Sequence, residues 1–379
     1  MFLSYPPIWA SLKLSDGYYD LNPLSNPLTR SESYAKEINR RLALYLERSG
    51  EYPLTFDVLL WSDHNKSFTM VALEMLSACS HRWQTAKFQL FCDWPVDGIL
   101  ECEGNLPNLE WLEIRVVFLY RHARGIFRET PRLTHAYIGP WAKTYGWIIP
   151  WTQLTELILT LNEDLVIEDG DVPNFLPMLH NIKELRIRLS YGEVGFGDDF
   201  PQFAPTPLNQ LRVLEVPHPA LLSWFEAPSL CEIYLADHQQ NHGGPLDVEG
   251  EISSLIQRSS CRIRKLSFQS GREFYVGTLK DVEELVINYR HSEGIRSCID
   301  VSSLPKLRLL TIICPVDEDF ESSMDSLTSA LMSASERSPG TSSLERVMVE
   351  VHCDHEEPRI PESLLEIVEE WPVVVFRQL

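Results

Sequence analysis

The hexad Leu211-Arg212-Val213-Leu214-Glu215-Val216 places apolar side chains at its first, fourth and sixth positions, and that spacing returns along most of the chain. In an extended strand the fourth and sixth residues face one side and the fifth faces the other. The first residue packs beneath them as the chain enters the strand. Ten such hexads can be read off in order. They are keyed by Leu109/Leu112/Ile114, Leu133/Ala136/Ile138, Leu154/Leu157/Leu159, Ile182/Leu185/Ile187 and Leu211/Leu214/Val216. Leu230/Ile233/Leu235, Ile263/Leu266/Phe268, Val282/Leu285/Ile287, Leu307/Leu310/Ile312 and Leu344/Val347/Val349 complete the series. One hexad cannot bury three apolar side chains alone, so each needs a neighbour above and below it.

This spacing, at intervals of 19 to 37 residues, is that of a leucine-rich repeat. The expected fold class is therefore α/β. It is an irregular leucine-rich-repeat solenoid, with a parallel sheet on one face, helices and loops on the other, and a small α/β N-terminal cap. Ten strands spaced about 4.8 Å apart would make a sheet about 45 Å long. The intervals are uneven, and only Asn162 supplies the asparagine that usually turns the chain after the strand. The returns should accordingly differ in length.

Three regions follow. Residues 1–100 read as the cap. Its expected elements are a helix from Ser31 to Arg48, a strand at Pro53–Leu59, a helix with Phe68, Val71, Ala72, Met75, Leu76 and Cys79 on one face, and a short strand near Phe88. The cap also holds a degenerate first repeat. Residues 101–360 carry the repeats, with return helices expected at Ser322–Ser335 and Val248–Arg258. Residues 361–379 should close the array with a helix (Pro361–Trp371) and a strand (Pro372–Phe376).

Composition narrows the function classes. With 54 acidic against 33 basic residues the net charge is −21, which works against nucleic acid and anionic membrane surfaces. No apolar run approaches the roughly 20 residues of a membrane span, and the N-terminus lacks the basic start of a signal peptide. Eight scattered cysteines with no paired spacing suit reduced thiols in a cytoplasmic or nuclear protein. The cluster His352-Cys353-Asp354-His355, the pair His238/His242 and the glycine-rich Gly192–Gly197 each lack the partners or helix that a metal or nucleotide site needs. No catalytic motif stands out, so neither an enzyme, a cofactor nor a metal is expected.

The informative positions are those on the open face of the sheet. They include Trp111, Arg115 and Tyr137, then Glu184, Arg186, Arg188 and Glu215, then Tyr234 and Lys265. Aromatic and arginine side chains interleaved with carboxylates are the composition of protein-recognition surfaces. The expected ligand is a protein held on this face by a monomeric receptor.

Four short segments carry a resemblance. They are Pro7-Ile8-Trp9-Ala10-Ser11-Leu12, Tyr45-Leu46-Glu47-Arg48-Ser49-Gly50, Pro53-Leu54-Thr55-Phe56 and Ser80-His81-Arg82-Trp83. With the irregular repeats behind them, they resemble the F-box-like leucine-rich-repeat proteins abundant in mushroom-forming fungi. The resemblance implies the substrate-recognition arm of a cullin–RING ubiquitin ligase. In that family the F-box helices precede the tryptophan segment, where this sequence begins. Docking to the ligase adaptor is therefore expected to be lost. A repeat scaffold unrelated to ubiquitin, or a hydrolase with no recognisable motif, are the alternatives.

Overall fold

In a computed structural model, the described residues are 5–15, 32–60, 66–90, 102–116, 125–141, 148–161, 175–189, 203–235, 248–270, 279–289, 304–315, 344–352 and 374–378. They form two compact units. One comprises Met1–Ile182 with Leu189–Gly192, the other Lys183–Arg188 with Glu193–Leu379.

The first unit runs α1 (Pro6–Trp9), β1 (Ser11–Ser15), α2 (Glu32–Ser49), β2 (Leu54–Leu60), α3 (Lys66–Ser77), β3 (Trp83–Leu90), β4 (Trp111–Val116), β5 (His135–Trp141) and β6 (Glu156–Leu161). The six strands lie side by side in chain order, and every pair is parallel. Parallel neighbours require a crossover, and α2 and α3 supply the first two. Helix α2 buries Leu42, Leu46 and Ser49 and stops at Gly50, whose φ of +54° suits a residue without Cβ. Helix α3 buries Ala72, Leu73 and Leu76 and leaves Val71 exposed. Its inner face is thus rotated from the expected stripe, because Leu73 takes the place given to Val71.

The second unit contains β7 (Glu184–Leu189), β8 (Thr206–Pro207), β9 (Val213–Val216), β10 (Phe225–Glu226), β11 (Glu232–Leu235), α4 (Val248–Ser259), β12 (Lys265–Ser270), β13 (Glu284–Tyr289), β14 (Leu309–Pro315), β15 (Arg346–His352) and β16 (Val374–Gln378). Strands β8 and β10 pair only with each other. The rest form a parallel sheet in the order β7-β9-β11-β12-β13-β14-β15-β16. Helix α4 is the return expected at Val248–Arg258. It buries Ile252 and Leu255, carries Glu249 and Glu251 in its first turn and Arg258 in its last, and so complements its own dipole. Arg258 also donates from Nε to the Phe225 carbonyl and from a terminal nitrogen to that of Leu222, both at 2.8 Å. Those bonds clamp the helix onto the 3₁₀ turn at Pro219–Trp224.

The register bears out the spacing. In the second unit Leu214 is paired with Ile233, Ile233 with Leu266, Leu266 with Leu285, Leu285 with Leu310 and Leu310 with Val347. Val216, Leu235, Phe268, Ile287, Ile312 and Val349 form the second column. Of the thirty key side chains, all but the half-buried Leu344 are buried. In the first unit the columns reach back beyond Leu112 and Ile114 to Ala86/Phe88, Phe56/Val58 and Leu12/Leu14. Residues assigned to a cap thus supply three strands in the same register. Trp9-x-x-Leu12-x-Leu14 and Trp83-x-x-Ala86-x-Phe88 keep the hexad spacing with tryptophan in first place.

The segments that carried the resemblance interlock. Trp9 packs edge-on against Tyr45 (4.9 Å between centroids) and lies under the Arg48 guanidinium (4.6 Å). Arg82, only 5% exposed, donates to the Tyr52 carbonyl at 3.0 Å and to the Ser49 hydroxyl at 2.6 Å. Trp83 packs on Phe56 and donates its indole N–H to the Leu76 carbonyl.

The helices expected at Ser322–Ser335 and Pro361–Trp371, Asn162, the His238/His242 pair, Gly192–Gly197 and Cys353–His355 lie outside the described residues. No helix among the described residues is long and apolar enough to cross a membrane.

Candidate binding face

A parallel array turns alternate side chains to its open face, so residues paired between strands become rows of neighbours. In the first unit the central row reads Lys13, Asp57, Lys87, Glu113, Tyr137 and Ile158. Its charges alternate. Lys13 lies 3.8 Å from Asp57 and Lys87 lies 3.5 Å from Glu113. Arg115, two residues along β4, brings its Nε within 2.7 Å of the other Glu113 oxygen. Glu113 is only 5% exposed, and cations on two sides offset part of the desolvation that such depth imposes on a carboxylate.

The aromatic residues extend this patch. The Arg115 guanidinium sits 4.3 Å above the Tyr137 ring, and the Tyr137 hydroxyl lies 3.2 Å from that of Thr160. Trp111 stacks on His135 with 5.2 Å between centroids and 19° between planes. His135 in turn has Nδ1 2.8 Å from the Thr134 hydroxyl and Nε2 3.7 Å from Glu156. Among the described residues the buried Trp111 indole nitrogen has no hydrogen-bond partner. Gly139 keeps β5 close to β6, since a Cβ there would come within 2.8 Å of the Thr160 Cβ.

The second unit carries the other six expected residues. Glu215 accepts from three guanidinium nitrogens. One belongs to Arg186 (3.1 Å) and two to Arg188 (2.8 and 3.2 Å). Arg186 also reaches Glu184 at 3.5 Å and lies 5.6 Å from the Tyr234 ring centroid. Lys265 approaches the same ring at 5.9 Å and pairs with Glu284 at 3.0 Å. Tyr234 donates its hydroxyl to Glu232 at 2.9 Å. Burial pushes the Tyr234 phenol up, and the bond to Glu232 acts in the same direction. Burial alone would pull Lys265 down, but the hydrogen bond to Glu284 and the charges of Tyr234, Glu284 and Glu232 together outweigh it and hold the ammonium above its ordinary value.

The nine residues therefore fall into two clusters, with Trp111, Arg115 and Tyr137 in the first unit and the rest in the second. Each is cross-linked internally by charge, ring and hydroxyl contacts. Side chains already held in place lose little freedom on binding, which is how a recognition surface keeps its affinity. The expected list omitted Lys13, Asp57 and Lys87, which stand in the same row. The alternation Leu12-Lys13-Leu14, Phe56-Asp57-Val58 and Ala86-Lys87-Phe88 would have located them. Among the described residues no group of three or more His, Cys, Asp or Glu side chains is placed to hold a metal. No protein-family model matches this chain, and no curated protein matches it either.

Proposed function

We propose that this chain is a protein-binding leucine-rich-repeat receptor whose recognition surface is the open face of its strands. The observation that carries this is the cluster of Arg186, Arg188, Glu215, Tyr234 and Lys265, where arginine and tyrosine anchors are held in position by carboxylates. Such anchors dominate binding energy at protein interfaces, and fixed partners spare them the entropy of ordering. The register of buried columns supports the repeat class. The interlocked Trp9, Tyr45, Arg48, Ser49 and Arg82 support the resemblance to F-box-like repeat proteins, since they give its short segments one shared structural reason. In that reading the chain acts without catalysis of its own and selects substrates for a ubiquitin ligase.

The test is proximity labelling in the native cell with the natural chain and with an Arg186→Ala/Arg188→Ala variant. The expected result is a set of partners lost in the variant while its thermal unfolding stays near that of the natural chain. An unchanged set of partners would move the binding surface elsewhere. The ligase adaptor is expected not to co-purify with this chain, and robust co-purification would overturn that expectation.

A further inference from the structure

In the second unit the ladder of backbone bonds starts one residue before the strands. Arg212 donates its N–H to the Lys183 carbonyl (2.8 Å), Cys231 to that of Arg212 (3.0 Å) and Arg264 to that of Cys231 (2.8 Å). Each of these carbonyls also accepts the next N–H along, from Val213, Glu232 and Lys265 respectively. The second position of successive hexads thus forms a row along the N-terminal edge of the sheet, one residue per rung. Lys183, Arg212 and Arg264 are exposed there, Cys231 lies half-buried among them, and the row runs on through Glu283, Arg308 and Glu345, where Arg308 pairs with Glu345.

The charge of that row is what stands out. Among the described residues Lys183 and Arg212 have neither an ion-pair nor a hydrogen-bond partner for their side chains, and Arg264 has only Glu283 at 4.0 Å. The equivalent row in the first unit is Gln84, Glu110, Thr134 and Thr155. It has no cation, and Gln84 donates to Glu110 at 3.2 Å. A chain with net charge −21 thus sets unneutralised cations on adjacent rungs of one edge. Their mutual repulsion is relieved when an anion lies between them.

We propose that this edge is a second docking surface, distinct from the open strand face, which takes a short acidic segment of a partner protein lying across the rungs. Three rung intervals from Lys183 to Arg264 span about 14 Å, roughly four residues of extended peptide. That length suits two or three carboxylates. A long polyanion such as nucleic acid would meet the repulsion of the whole chain, whereas a short segment feels charges within a Debye length of about 8 Å. Because the edge carbonyls already accept twice, the contact runs through side-chain charge and not through addition of a strand.

The experiment is fluorescence anisotropy on the full chain, with a fluorescein-labelled Gly/Ser peptide carrying alternating aspartates as the probe. The same peptide with asparagines and a labelled oligothymidine serve as comparisons. The aspartate peptide should bind, with affinity falling as salt rises. Lys183→Glu/Arg212→Glu should weaken it roughly tenfold or more, and Lys183→Gln/Arg212→Gln by less. The strand-face variant Arg188→Ala should bind it as the natural chain does. Equal binding of the asparagine peptide, tighter binding of oligothymidine, or full affinity in the charge-reversed variant with its circular dichroism unchanged would each overturn the proposal.

Discussion

Gly139→Ala is a one-methyl change whose cost can be worked from geometry. The added Cβ would stand 2.8 Å from the Thr160 Cβ and 3.0 Å from its hydroxyl oxygen, with the Thr160 Cα at 3.8 Å. The first two distances are too short for carbon and oxygen in contact, so β5 and β6 must part or the threonine must move. Overpacking of this kind costs about 1–3 kcal/mol. Thr160→Gly removes the obstacle and has its own cost, about 1 kcal/mol for glycine in a strand plus about 1 kcal/mol for the Tyr137 hydroxyl contact. If the clash is the cause, Gly139→Ala should cost almost nothing in the Thr160→Gly background. The double variant should then be more stable than the sum of the singles by about 1–3 kcal/mol. Urea unfolding followed by tryptophan fluorescence reads all four proteins. Strict additivity, or Gly139→Ala as stable as the natural chain, would refute the argument from close approach.

Arg82→Met keeps the length of the side chain and removes its donors, leaving the Tyr52 carbonyl unpaired and Ser49 short of one partner. The expected loss is about 2–4 kcal/mol, read as a lower unfolding midpoint, with Arg82→Lys recovering only part of it. Glu37 bonds to Arg40 and Arg41, and those hydrogen bonds hold its carboxyl at about 2 against an ordinary 4.5. A lowered pKa favours the folded state where the carboxylate is ionised in both states and loses that advantage as pH falls from 4.5 towards 2. Glu37→Gln should therefore narrow the stability difference between neutral and acid pH, while matching the natural chain in strong acid. Tyr234 should ionise later than an ordinary phenol in an alkaline titration, and Tyr234→Phe should remove one late-ionising group from the tyrosinate absorbance.

Much of the parallel sheet was legible because one column of residues obeys a simple rule. Leu214, Ile233 and Leu266 are apolar and buried, and pairing them in register leaves no freedom to slip without exposing a whole face. The first three strands were harder to see as part of that array. Trp9 and Trp83 stand where a leucine was sought, and long returns separate the rungs. The binding-face residues were legible as positions but not as contacts. Nothing in the spacing says that Arg188, two residues from Arg186, turns to share Glu215 from another strand. Nor does it say that Glu113 in the first unit is buried while Glu215 in the second is not. Those outcomes depend on which long side chain reaches which neighbour, and that is decided across strands whose pairing lies tens of residues apart in the chain.

Among the described residues strand β1 pairs on one side only, with β2. A strand edge of this kind can present amides and carbonyls to another extended chain, the usual seed of edge-to-edge aggregation. The strand is five residues long, with Ser11 and Lys13 alternating with buried Leu12 and Leu14, and Lys13 largely exposed. An approaching strand would have to desolvate that ammonium and break its pairing with Asp57. The lysine that begins the alternating row thus also guards the array against templated growth, and a neutral apolar residue in its place would turn a closed end into a sticky one.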